Sequence, residues 1–83
     1  MTHFILYSRS YCHLCEDMLL ALRPFQDAHG FTVEVQDVDE NPDLLAKYDE
    51  LVPVLVGQKP AQAAQEICHY FLDTARLEVF LHD

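Results

Sequence analysis

Two cysteines with two residues between them, Cys12-His13-Leu14-Cys15, are the one constellation in this chain to which a reaction can be attached. The pair begins where a short apolar run and a polar break give way to a helical period. At a helix start the backbone N–H groups lack intrahelical partners, and the positive end of the dipole favours an anion. A cysteine near the N-cap can accept a hydrogen bond from the N–H three residues on, here that of Cys15. Three residues along a helix also bring the two side chains to one side, within reach of a disulfide. The chemistry that suits this arrangement is thiol–disulfide exchange. Cys12 would be exposed and nucleophilic, and Cys15, one turn inside, would attack a mixed disulfide formed on Cys12.

A thiol with a pKa of about 8.5 is roughly 3% thiolate at pH 7, and lowering that pKa to about 7 raises the fraction to half. The shift needs about 2 kcal/mol. A helix terminus contributes about 0.3–1 kcal/mol, and capping hydrogen bonds and Arg9 add to it. Glu16, Asp17 and a formal net charge of -9 oppose it, so a modest depression is expected. His13 reads equally as a cation that favours the thiolate and as an ordinary exposed residue.

Other chemistries use the same residues. Cys12 and Cys15 are also half of a metal site, or ligands of an iron–sulfur cluster shared across a dimer. A third reading is a redox-inactive adaptor that keeps only the fold. Cys68 and His69 would nominally complete a zinc site, but consecutive strand residues face opposite ways, so no metal ligands are assigned. Cys68 reads as a small core residue, with a regulatory thiol as the sharper alternative. Phosphatase chemistry would want an arginine six residues after Cys12, where this chain has Met18. The run Asp37-Val38-Asp39-Glu40 reads as a solvated loop, because the alternating ligands of a calcium loop do not continue.

The elements that must position the pair follow from periodicity. Phe4 to Tyr7 is a buried strand, and Leu14/Cys15, Met18/Leu19, Leu22 and Phe25 mark a helix ending at Gly30. Pro24 is expected to kink or end that helix. Phe31, Val33 and Val35 alternate with polar residues as a second strand, and Asn41-Pro42-Asp43 opens a short helix carrying Leu44, Leu45 and Tyr48. Val52 to Val56 is a third strand opened by Pro53, followed by a turn at Gly57 to Pro60. Residues 61–65 are taken as a loop despite their helical propensity, and Glu66 to Phe71 as a fourth strand. Asp73 or Thr74 then caps a last helix with Leu77, Phe80 and Leu81. A right-handed βαβ crossover makes the first two strands parallel, and the third and fourth pair antiparallel. The expected architecture is one α/β domain over residues 1–83, ordered β-α-β-α-β-β-α, with a four-stranded mixed sheet and helices on both faces.

Composition agrees with one packed globule: 83 residues, 51% hydrophobic and 23% charged. The charge of -9 disfavours phosphate backbones and anionic lipid, so neither nucleic acid nor membrane is expected as a partner. No window approaches the roughly 18 apolar residues of a membrane span. Met1 to Tyr7 lacks the basic and apolar regions of an export signal, which makes the cytoplasm the expected location. Three cysteines are too few for a disulfide scaffold, and a reducing compartment would not maintain one.

Over essentially its whole length the chain resembles the thioredoxin superfamily in its minimal, glutaredoxin-like form. The residues that carry the resemblance are Arg9-Ser10-Tyr11-Cys12-His13-Leu14-Cys15 after the first strand and Val52-Pro53 opening the third. Tyr11 to Met18 is most similar to the YCHLCEDM-type stretch of small glutaredoxin-like proteins. The resemblance implies a thioredoxin-like fold with a cis peptide before Pro53, beside the cysteine pair. It implies that the Val52 backbone pairs with a bound peptide or thiol, and that Arg9 stands where glutaredoxins place a lysine contacting the glutathione carboxylate. The activity implied is thiol–disulfide oxidoreduction on a disulfide-containing protein or small thiol. No cofactor is required, glutathione is a candidate co-substrate, and a glutathione or thioredoxin reductase system restores the dithiol. The departures are also specific. His13-Leu14 replaces the usual Pro-Tyr pair, there is no Trp before Cys12, and Ile67 to Asp73 occupies the place of the Gly-Gly turn and Asp that grip glutathione. Asp73 is the candidate replacement for that acid, and the implied glutathione grip is correspondingly weaker.

Overall fold

The computed structural model describes residues 2–10 and 12–82. Its elements are β1 (His3–Ser8), α1 (His13–His29), β2 (Thr32–Asp37), a 3-10 turn (Val38–Glu40), α2 (Pro42–Tyr48), β3 (Val54–Gln58), β4 (Gln65–His69) and α3 (Thr74–His82). One mixed sheet is ordered β2-β1-β3-β4. β1 runs parallel to β2 and antiparallel to β3, and β4 runs antiparallel to β3. The expected order of elements and the mixed pairing are therefore those observed.

Strand alternation builds a core on each face of the sheet. Phe4 and Leu6 of β1 and Leu55 of β3 point to the side covered by Met18 and Leu22 of α1 and by Leu77 and Phe80 of α3. Tyr7, Val54 and Val56 point to the other side, where Leu44, Leu45 and Tyr48 of α2 close over them. Aromatic rings knit both cores. Phe4 meets Phe31 edge-on at 4.6 Å and Phe80 at 5.5 Å, and Tyr7 stacks on Tyr48 at 4.7 Å.

The expected stop of α1 is observed, since the helix spans Pro24, runs on to His29 and closes at Gly30 with φ 71°, while some strand boundaries differ from the sequence pattern. Pro24 and Leu20 both lie on the exposed face, so water can satisfy the Leu20 carbonyl that loses its donor. Leu22 and Phe25 meanwhile hold both sides of the proline to the core. β3 starts at Val54 and extends through Gly57 and Gln58, because Gly57 still pairs with Phe4. β4 stops at His69, since Tyr70 has φ 66° and leaves the extended region. A register shift opposite Leu55/Val56 turns both Ile67 and Cys68 into the core, while His69 is exposed. Residues 61–64 are irregular, as expected of a loop.

Gly57 is required by close packing. A Cβ there would stand 2.6 Å and 2.7 Å from the Phe80 ring and 2.9 Å from the Phe4 ring. Both rings are buried and wedged against each other, so neither can yield freely. Gly57→Ala is expected to lower stability by about 1–3 kcal/mol, read as a lower urea midpoint at unchanged slope. An unchanged midpoint would contradict this packing.

Candidate active site

β1 delivers the chain to Ser8 at the centre of the sheet, and a short connection leads into α1. Cys12 is the N-cap, in extended conformation with φ −98° and ψ 105°. Its Sγ accepts the Cys15 N–H at 3.1 Å, and its carbonyl accepts the Glu16 N–H at 3.3 Å. Cys12 and Cys15 are joined as a disulfide with their Cα atoms 5.2 Å apart. The two sulfurs differ in environment: Cys12 is half-buried, whereas Cys15 is 6% exposed. Beside them opens a cavity of about 130 Å³ lined by Leu6, Ser8, Arg9, Glu16, Leu19 and Val35 together with both cysteines.

Arg9 is at that cavity, but two carboxylates hold its guanidinium. Nη2 lies 3.0 Å from Asp39, Nε donates to the same carboxylate at 3.2 Å, and Nη1 donates to Asp49 at 2.9 Å. The hydrogen bond to Asp39, then the charges of Asp39, Asp49 and Asp37, push the Arg9 pKa above its ordinary value. Its positive charge is thus locally balanced. Ser10 donates to Asp37 at 3.2 Å, which ties the loop before Cys12 to the end of β2. Asp37 also accepts the Asp39 N–H at 2.9 Å, so the acidic run read as a solvated loop is a capped turn that presents Asp39 to Arg9.

His13 is the first residue of α1, is exposed, and does not line the cavity. The Val52–Pro53 peptide is cis. Pro53 is buried, and the β1–β3 register, which pairs Tyr7 with Val54, sets it next to the Ser8 end of β1. Val52 packs on the α2 side of the sheet, and its N–H donates to the Tyr48 carbonyl at 3.2 Å. Asp73 acts as the cap of α3, accepting the Arg76 N–H at 3.1 Å. Tyr11 lies outside the described residues.

Tyr70 was not singled out by its sequence context, yet it braces the cis-proline segment. Its N–H donates to the Pro53 carbonyl at 2.9 Å and its hydroxyl to the Glu50 carbonyl at 2.6 Å. Phe71 N–H closes a γ-turn onto the His69 carbonyl at 2.8 Å, leaving the Phe71 side chain 69% exposed. The partners of Arg9 were equally hidden, since Asp39 and Asp49 stand 30 and 40 positions away and carry no periodic signal. Among the described residues no group of three or more His, Cys, Asp and Glu converges as metal ligands.

The family pattern described as "Glutaredoxin-like domain (DUF836)" matches residues 3–82. The chain belongs to this glutaredoxin-like family. Among solved structures it is similar to protein Ne2328 from Nitrosomonas europaea, with 37% identity and a TM-score of 0.85 over 95% of this chain and 89% of that one. It is also similar to protein XcR50 from X. campestris, with 28% identity and a TM-score of 0.60 over 95% of each chain. Mitochondrial thioredoxin 3 from Saccharomyces cerevisiae, in its oxidized form, shares the fold at 24% identity, with a TM-score of 0.73 over 99% of this chain and 77% of that one. No curated protein matches the sequence. The chain is thus a thioredoxin-like domain with a cysteine pair at disulfide distance.

Within this glutaredoxin-like domain the third cysteine is set apart from the pair. Cys68 is buried on β4, and burial pushes its thiol pKa up, partly offset by a hydrogen bond from the Asp73 backbone. A raised pKa means less thiolate at a given pH. In the oxidised native protein at pH 8, Cys68 should alkylate with iodoacetamide at least about tenfold more slowly than in denaturant. Equal rates, followed by intact mass, would show that Cys68 is not shielded.

Proposed function

We propose that this glutaredoxin-like domain is a thiol–disulfide oxidoreductase cycling between the Cys12–Cys15 disulfide and the dithiol. The observation that carries the reading is the asymmetry of the pair, with one sulfur at the cavity and hydrogen-bonded by a helix-start N–H, and the other buried one turn inside. In the dithiol form the same N–H and the α1 dipole favour a Cys12 thiolate. That thiolate attacks one sulfur of a substrate disulfide, the substrate S–S bond breaks, and the departing thiolate takes a proton. Cys15 then gives up its proton and attacks Cys12 Sγ, which breaks the mixed disulfide and releases the second substrate thiol. The substrate gains two electrons and two protons, and the protein ends as the Cys12–Cys15 disulfide. A thiol reductant, glutathione or a thioredoxin reductase system, returns both electrons, and no cofactor enters the cycle. A reducing compartment such as the cytoplasm suits it.

The surroundings support auxiliary roles. Val52 offers a bound peptide its carbonyl, since its N–H is already given to Tyr48. Pro53 shapes that segment, braced by Tyr70. Arg9 can meet a substrate carboxylate only in competition with Asp39 and Asp49, and His13 is free to face an incoming partner from the exposed start of α1.

Single-cysteine variants separate the two roles. Cys12→Ser, with serine a good N-cap, is expected to fold and to retain less than about 1% of the disulfide reductase rate. Cys15→Ser is expected to attack once and stall as a mixed disulfide on Cys12, visible by mass. A Cys12→Ser protein with full activity would overturn the proposal.

A further inference from the structure

The cavity at the cysteine pair adjoins a larger, acidic one. Ser8 and Val35 line both, so the two meet at the edge strand, where a trough of about 580 Å³ runs along β2. β2 is an edge strand, so this side of the sheet is open. The trough carries the carboxylates of Glu34, Asp37 and Glu40, and no cationic side chain is among its described lining residues. Glu34 is hydrogen-bonded by the neutral Gln36, and Asp37 by the neutral Ser10 with the Arg9 guanidinium close enough to feel its charge. Glu16 adds another carboxylate at the cysteines themselves. Arg9, which lines the cavity at the cysteines, is held between Asp39 and Asp49.

We propose that the substrate of this site is a polypeptide disulfide flanked by lysine or arginine residues. The inference rests on the oxidoreductase reading above and names the substrate class of that same site. The position argues for a peptide, because the trough lies along an open edge strand beside the cysteine cavity, where a chain extending from the reacting disulfide can run. The charge argues for a cationic one. Carboxylates lining a cleft with low-dielectric walls raise the local concentration of cations and repel anions, with effects on association of roughly 10- to 1,000-fold. An anionic disulfide would meet the same field with the opposite sign. Exchange itself is unchanged: the protein dithiol supplies two electrons, the peptide disulfide becomes two thiols, and Cys12–Cys15 forms.

The test uses the prereduced protein and three peptide disulfides of one sequence, whose positions flanking the cystine are lysine, serine or glutamate. Each single-turnover rate is divided by that of free dithiothreitol with the same peptide, which removes intrinsic differences in disulfide reactivity. The expected result is a lysine-to-glutamate ratio of at least about tenfold at low salt, with serine between, collapsing to within about threefold at 0.5 M salt as the field is screened. In a Glu34→Gln/Glu40→Gln variant, altered only at exposed side chains, the low-salt ratio should fall at least threefold. A ratio near one with the serine peptide still reduced overturns the proposal, as does a ratio that salt or the variant leaves untouched. If none of the three peptides oxidises Cys12 and Cys15, the oxidoreductase reading itself fails, and this inference falls with it.

Discussion

The first N–H groups of α1 must find acceptors, and the one on Cys15 finds the Cys12 sulfur at 3.1 Å. That contact closes the helix start and at the same time presents a donor to any negative charge on the sulfur. In the proposed reaction, capping and activation would therefore share one geometry. The rest of the molecule can be understood as holding it in place. β1 lies between β2 and β3, so the strand that delivers the loop is pinned on both edges. Cys15, Met18 and Leu22 then bury one stripe of α1, which fixes the rotation of the helix about its axis and leaves Cys12 toward the cavity.

Two opposed demands meet at this end of the sheet. A thiolate at Cys12 gains from the helix start, yet Glu16 and the trough carboxylates work against it, and the nearest guanidinium is held by Asp39 and Asp49. The same charges that limit activation can select a substrate, because a cationic partner brings the missing positive charge with it. In the proposed reaction, activation and recognition would be coupled through electrostatics, whereas the fold is held by apolar packing on the two faces of the sheet.

Much of this was legible in the sequence. Alternation in Phe31 to Gln36, the Asn41-Pro42 helix start and the stop at Gly30 are local signals, and each lies within a residue or two of its element. The cysteine pair was legible because its spacing and its position at a helix start act together over four residues. What stayed hidden is non-local. Arg9 was read as a cation available to the thiolate or a carboxylate, but its partners come from the 3-10 turn and the end of α2. Tyr70 braces Pro53 from the end of the neighbouring strand β4, and nothing in the order Cys68-His69-Tyr70-Phe71 announces a γ-turn there. Whether α1 would end at Pro24 or span it was open for a related reason: the proline's cost depends on whether Leu20 faces water, which only the packing of α1 decides.

The central claim is that Cys12 and Cys15 form one reversible two-electron couple, and its equilibrium state tests that most directly. The protein would be equilibrated anaerobically in graded glutathione buffers, trapped by alkylation, and weighed with site mapping. A single two-electron transition confined to Cys12 and Cys15, with a midpoint between about −180 and −270 mV, is the predicted result. Two thiols that never pair anywhere in that range would contradict it, and would leave a glutaredoxin-like domain that has the fold without the reaction.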